Sequence, residues 1–192
     1  MSQLIRIIYI SRSTFTPTMS KAVIEPNVAR ILAKSRINNR RNGLVGVLYF
    51  GDGCFFQCLE GEQSSVDTLY ARLQSDERHK DIKLLSRENI SALSYTGWVM
   101  KFVPLEKEMT LLLKERGLDR FDPYRFDPVT VEKVMNLLRT STNPTTDAVV
   151  ETLIRKSMAA PAADKAPRGF WPIAAALIVV AVAVAAGIFF FS

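Results

Sequence analysis

The chain has 192 residues, a formal net charge of +6 and 48% hydrophobic residues. That length supports one domain of roughly 100–140 residues with its own core, so no disulfide or metal staple is required. Two cysteines (Cys54, Cys58) and one histidine (His79) offer no zinc constellation. Arg36, Arg40 and Arg41 cluster, but the modest net charge reads as a solvated surface with phosphate contacts, not a nucleic-acid interface.

In chain order, Gln3–Ile10 is rich in β-branched residues and predicts a strand. Its polar start and Arg6 speak against a secretory signal. Residues 11–26, with Ser, Thr and two prolines, predict a loop. Apolar or small residues at 28, 31, 32 and 35 give helical spacing over Asn27–Asn39, with Pro26 suited to the first turn. Asn42-Gly43 marks a turn. Leu44–Phe50 and Cys54–Leu59 read as strands joined by a Gly51-Asp52-Gly53 hairpin turn. Ser64–Gln74 predicts a helix with Val66, Leu69, Tyr70 and Leu73 on one face. Ile82–Ile90 and Gly97–Val103 predict two more strands.

Two charged, amphipathic helices are expected across 104–140. Leu111, Leu112 and Leu113 supply apolar surface to the first, and Val131, Val134, Leu137 and Leu138 to the second. Asp127-Pro128 forms a good cap and first turn for the second. Residues 141–169 read as a linker, with a short amphipathic helix over Asp147–Met158. Phe170–Phe191 holds no charge and at ~1.5 Å per residue spans about 33 Å, enough for a bilayer core. Trp171 suits the interface, and Lys165 with Arg168 precedes it. The positive-inside tendency then gives a single-pass inner-membrane protein with residues 1–169 in the cytoplasm.

The order βαββαββ implies an α+β, ferredoxin-like sheet with both early helices on one face. Strand alternation puts Ile7, Tyr9 and Ser11 on one face and Ile8 and Ile10 on the other. It likewise separates Phe55, Gln57 and Leu59 from Cys54, Phe56 and Cys58. Both faces are apolar, so both need cover; the helices after residue 104 are the natural lid for the second. Residues 1–103 thus form the domain and 104–140 its cap.

Three polar side chains stand in apolar segments: Tyr9, Gln57 and Asn39. A buried amide without partners costs about 1–3 kcal/mol. These groups therefore serve one another, as a network pinning strands to helix, or serve a ligand. The pattern alone leaves both open.

The runs IYIS (Ile8–Ser11), NNRRNGLVGVLYF (Asn38–Phe50), GCFFQCLEGE (Gly53–Glu62) and DERH (Asp76–His79) resemble the BLUF family of blue-light sensors that use FAD. Trp98-Val99-Met100 resembles that family's W-x-M on the last strand. The likeness runs in order over residues 3–103. It implies non-covalent FAD between the two early helices. Tyr9 is then the photochemical electron donor and Gln57 the switching amide. Asn39 hydrogen-bonds the ring, with Asn38 beside it. Arg72 and Asp76, four apart on the second helix, line the ring's polar edge, and Arg78 and His79 lie near that edge or the phosphates. Ser11 supports the network; Trp98 and Met100 relay the state of the glutamine. Leu93 and Tyr95 stand where the family often has Arg and Phe.

Taken singly, Trp98 and Met100 read as ordinary core, His79 as a surface or cap residue, and Arg72 with Asp76 as an exposed helix pair. No nucleophile–base pair, metal cluster or phosphate loop occurs in residues 105–192, so the expectation is a non-enzymatic sensor, a homo-oligomer or one acting on a protein partner at the membrane. Two rivals remain at this level: a small flavin oxidoreductase, and a tethered adaptor that has lost flavin.

Overall fold

In the computed structural model the described residues are 3–16, 24–95, 99–103, 105–140, 151, 152 and 155. The chain divides into two units, 1–160 and 161–192, and every described residue belongs to the first. The element order is β1 (Leu4–Ser13), α1 (Pro26–Arg41), β2 (Val45–Gly51), β3 (Cys54–Glu62), α2 (Gln63–Leu73), β4 (His79–Asn89), β5 (Lys101–Phe102), α3 (Glu106–Glu115), a 3₁₀ turn (Pro123–Arg125) and α4 (Pro128–Thr140). The strands form one mixed sheet in the order β4-β1-β3-β2-β5. All pairs are antiparallel except β2 with β5. This is the ferredoxin-like arrangement with a fifth strand on one edge.

Local chemistry accounts for the boundaries. Glu25 caps α1 by accepting from the Val28 N–H at 2.9 Å, and Pro26 occupies the first turn. The helix stops at Asn42, and Gly43 takes a φ of +64° that favours glycine. Asp52 and Gly53 both have positive φ, 46° and 75°, as a tight two-residue hairpin requires. Asp127 caps α4 by accepting from the Thr130 N–H at 2.7 Å.

Two cores result, one on each side of the sheet. Ile5, Ile7, Tyr9, Phe55 and Leu59 pack under α1 and α2, with Val28, Leu32 and Val66. Ile8, Ile10, Cys54, Phe56 and Cys58 pack under α3 and α4, with Met109, Leu112, Leu113, Val134 and Leu138. The alternation expected along β1 and β3 is therefore the one observed.

Several expectations need correction. β1 does not end at Ile10 but runs through Ser13, because Ser13 pairs with His79 and its N–H reaches the Gly53 carbonyl at 2.8 Å. For the same reason β4 begins at His79, three residues early. β5 has two paired residues, not seven, aligned with Val47 and Leu48; residues 96–98 lie outside the described residues. Leu111 is not part of the lid. It is 68% exposed, since its neighbours Leu112 and Leu113 occupy the inward face of α3. Among the described residues no helix is long and apolar enough to cross a membrane; the span expected over 170–191 lies outside them. Of the short helix expected over 147–158, Glu151, Thr152 and Arg155 are described, and all three are helical.

Glu60, fully buried on β3, ties the approach to β5 to the sheet. Its carboxylate accepts from Arg6 Nε at 2.7 Å and from the Ser94 N–H at 2.5 Å. Arg6 reaches the Ser94 hydroxyl at 2.6 Å. A carboxylate removed from water needs such donors. Glu60→Ala strands both and is expected to cost about 2–3 kcal/mol in urea unfolding, allowing for the partial exposure of Arg6. Ser94→Ala, which keeps the N–H, is expected to cost under about 1 kcal/mol. Equal losses would show that the clamp does not work through the backbone.

Candidate functional site

Tyr9 and Gln57 are directly opposed in the β1–β3 register. Cross-strand partners point to the same face with Cβ atoms about 5 Å apart. Both side chains are buried, 1% and 3% exposed. Burial, the main cause, pushes the Tyr9 phenol well above its usual range, so it stays protonated at any working pH. Tyr70 of α2 meets it edge-on at a ring separation of 5.8 Å. Sequence spacing placed Tyr70 only on the core face of its helix; nothing in the pattern marked it as the neighbour of Tyr9.

A small cavity of about 30 Å³ lies where these residues meet, lined by Tyr9, Gln57, Asn39, His79, Arg78 and Met100 together with Ile31, Ser35, Leu59, Leu69 and Leu73. Beside it is a cleft of about 650 Å³ between α1 and α2. Ser35, Asn39, Leu69, Leu73 and Arg78 line both. Asn38 and Arg72 line the cleft alone. Its volume falls in the range of cofactor sites.

Asn39 is completely buried at the end of α1. Its Nδ2 donates to the Val99 carbonyl at 3.0 Å, while its Oδ1 has no hydrogen-bond partner among the described residues. An acceptor left so carries a penalty of about 1–3 kcal/mol, which a donor on a ligand would relieve.

His79 is equally telling. Its Nδ1 shares a 2.8 Å hydrogen bond with the Ser11 hydroxyl, both groups being buried, and its ring lies 4.6 Å from that of Phe55. The sequence likeness joined Ser11 to the site in general terms; the structure makes it the partner of His79. Burial lowers the imidazole to about 4, with Asp76 opposing the shift and Arg78 adding to it. The ring is therefore neutral near pH 7.

Asp76 is not on α2. The helix ends at Leu73, and Asp76 sits in the following turn, where it accepts from Arg78 Nε at 2.8 Å, from the far guanidinium nitrogen at 2.5 Å and from the Arg78 N–H at 3.1 Å. The Arg78 hydrogen bonds pull its carboxyl down to about 2. The expected i, i+4 relation to Arg72 on one helix face therefore does not exist. Two residues of loop bring Asp76 and Arg78 to the cleft instead. Met100, 2% exposed, closes the small cavity from the β5 side. Trp98 lies outside the described residues. Tyr95 is buried in the outer core. Among the described residues no group of three or more His, Cys, Asp or Glu is placed to hold a metal.

Residues 4–101 match the family described as "BLUF: Sensors of blue-light using FAD". The chain belongs to the BLUF family. BLUF domains bind flavin and sense blue light. The chain is 31% identical over 96 residues to the beta subunit of photoactivated adenylate cyclase from Euglena gracilis, covering 50% of this chain and 11% of that protein. It is 30% identical over 100 residues to the alpha subunit, covering 52% and 9%. The chain thus spans about a tenth of these curated relatives. Among solved structures, BlsA in its ground state is 31% identical with a TM-score of 0.65, over 73% of this chain and 90% of that one. The dark-state structure of BlrB, a BLUF protein, is 26% identical with a TM-score of 0.58, over 74% and 99%.

The His79 environment sets a pH dependence. Its folded pKa, about 4, is below the ordinary 6.5, so the unfolded chain takes up the proton first as pH falls. Stability is whole above about pH 6.5 and is lost progressively down to about pH 4, by up to about 3 kcal/mol. Asp76, with its depressed carboxyl, adds its loss only below the ordinary carboxylate range. Urea midpoints at pH 7 and pH 5 are expected to differ for the native chain and to converge in His79→Asn. An unchanged pH slope in that variant would overturn the assignment.

Proposed function

We propose that this BLUF protein is a photoreceptor that holds FAD non-covalently in the cleft between α1 and α2 and signals by rewiring hydrogen bonds around Gln57. The observation that carries this reading is the buried Tyr9–Gln57 pair lining a cavity that is also lined by Asn39, whose Oδ1 has no partner among the described residues. The residues present fit a flavin. Asn39 Oδ1 is available to a ring N–H, Asn38 and Arg72 line the outer cleft, and Asp76 with Arg78 marks its polar edge. His79 lines the inner cavity, held by its hydrogen bond with Ser11.

Bound flavin would supply the chromophore and, once excited, the electron acceptor. The chain supplies the rest. Tyr9 is electron-rich and keeps its phenolic proton, so in a dry site it would pass an electron to the excited flavin, with the phenolic proton following through the Gln57 amide to the reduced ring. Gln57 carries a donor and an acceptor on one amide; rotation or tautomerisation exchanges which end faces the flavin and which faces Tyr9. No bond to a substrate is made. Met100 is unbranched and adaptable, and its contact with the cavity passes a change at Gln57 to β5. Trp98 belongs to the same relay on sequence likeness. The output is a contact with a partner or another copy of the chain, which the apolar segment 170–191 holds at the inner membrane with the sensor in the cytoplasm.

The full chain is expected to purify yellow, to release FAD on denaturation and to show a reversible red shift in blue light. Tyr9→Phe is expected to abolish that shift, and Gln57→Leu to remove it while flavin stays bound. A colourless native protein, or an unaltered photocycle in Tyr9→Phe, sinks the reading. Asn39→Leu is expected to weaken flavin binding at least tenfold, as loss of about 1.4 kcal/mol requires; fluorescence titration of the apoprotein measures it.

Truncation after Arg168 is expected to move the protein from the membrane fraction to the soluble fraction. Recovery of the full chain in the soluble fraction would refute the anchor.

A further inference from the structure

β5 is tied to its neighbours by side chains as well as by a short ladder. Among the described residues Lys101 and Phe102 pair with β2, and the Val103 N–H reaches the Leu48 carbonyl at 3.3 Å. The two preceding carbonyls are both taken by α1: Asn39 Nδ2 donates to Val99 O at 3.0 Å, and Arg36 Nε donates to Met100 O at 3.0 Å. These two residues stand three apart, so they share one helix face. Lys101, 5% exposed, donates from Nζ to the Leu138 carbonyl in the last turn of α4 at 3.4 Å. Arg36 has a second partner: its NH1 lies 2.5 Å from the Glu151 carboxylate, eleven residues beyond the end of α4. One guanidinium therefore joins a wall residue of the cavity to Glu151.

We propose that Arg36 is a latch: in the dark it bridges the Met100 carbonyl and Glu151, and a light-driven shift of Met100 breaks the bridge and releases Glu151. This rests on the photoreceptor reading above. The planar fork makes the arrangement selective. Arg36 serves both acceptors only while Met100 O keeps its place, because its donors are fixed relative to one another. A moved carbonyl forces the guanidinium to turn, and the partly exposed pair with Glu151 is too weak to survive alone in that geometry. The latch is a positioning device and takes no part in the photochemistry.

The test is amide hydrogen exchange of the full chain in detergent, dark and lit, read on the peptide containing Glu151, with the absorption spectrum recorded alongside. Exchange there is expected to rise about threefold on illumination. Glu151→Gln is expected to show the raised rate already in the dark, with its red shift intact, since Glu151 lies outside the cavity. The exchanged pair Arg36→Glu with Glu151→Arg is expected to regain dark protection through the ion pair but to lose the light-dependent rise, since a carboxylate at position 36 cannot donate to Met100 O; a light-dependent rise kept in the exchanged pair overturns the latch. A normal red shift with no light-dependent exchange at Glu151, or dark exchange in Glu151→Gln equal to the native rate, overturns the latch and leaves the photoreceptor reading standing. Absence of any red shift in the native chain overturns that reading and the release step together.

Discussion

The opposition of Tyr9 and Gln57 across the β1–β3 ladder is the constraint from which the site follows. Side chains alternate faces at every residue, so a slip of one position in either strand would send its partner to the α3–α4 side. The register is secured by apolar side chains of both faces at once: Ile7 and Leu59 beneath α1 and α2, Ile8 and Cys58 beneath α3 and α4. A sheet with one wet face would tolerate slippage more readily. Here both faces are dry, and the position of one phenol against one amide is enforced by the whole core.

That dryness also sets the chemistry. Burial keeps Tyr9 protonated and His79 neutral, while the exposed edge of the cleft carries the charged pair Asp76–Arg78. The inner wall is thus mostly uncharged hydrogen-bonding and apolar groups with Arg78 at its margin, while Arg72, Asp76 and Arg78 bring charge to the outer cleft. Such a gradient suits a ligand with a planar, amide-like ring at one end and an anionic tail at the other. In a low dielectric, hydrogen bonds are strong and unpaired polar atoms costly. A change in the orientation of one amide then has more effect than it would at the surface.

β5 stands apart from the other strands. It adds two parallel pairs to the edge of the sheet; side chains of α1 hold the two carbonyls that precede it, and Lys101 reaches the Leu138 carbonyl of α4. An element held by a few directional bonds can change partners at small energetic cost, while β1 and β3 at the centre cannot. Rigidity at the chromophore site and adaptability at its edge thus come from the different positions of these strands in one sheet.

Strand periodicity determined much from the sequence by itself. Alternation along β1 and β3 divided the two apolar faces of each strand, because side-chain direction in a strand follows from residue parity alone; the sequence likeness put Tyr9 with Gln57, and the register across the ladder sets them opposite each other. Helical spacing turned Asn39 inward, and Asp127 predicted the cap of α4 from local hydrogen bonding. Sequence likeness brought Ser11, Arg78 and His79 to the site without saying how they meet. Tertiary structure decided the rest: the hydrogen bond of Ser11 with His79 across 68 residues, the turn that takes Asp76 off α2 and onto Arg78, the exposure of Leu111, the approach of Tyr70 to Tyr9, and the bridge from Arg36 to Met100 and Glu151. Each of these joins groups far apart in the chain, or depends on where an element stops. Local periodicity carries no term for either, since both are settled by packing against neighbours the segment does not contain.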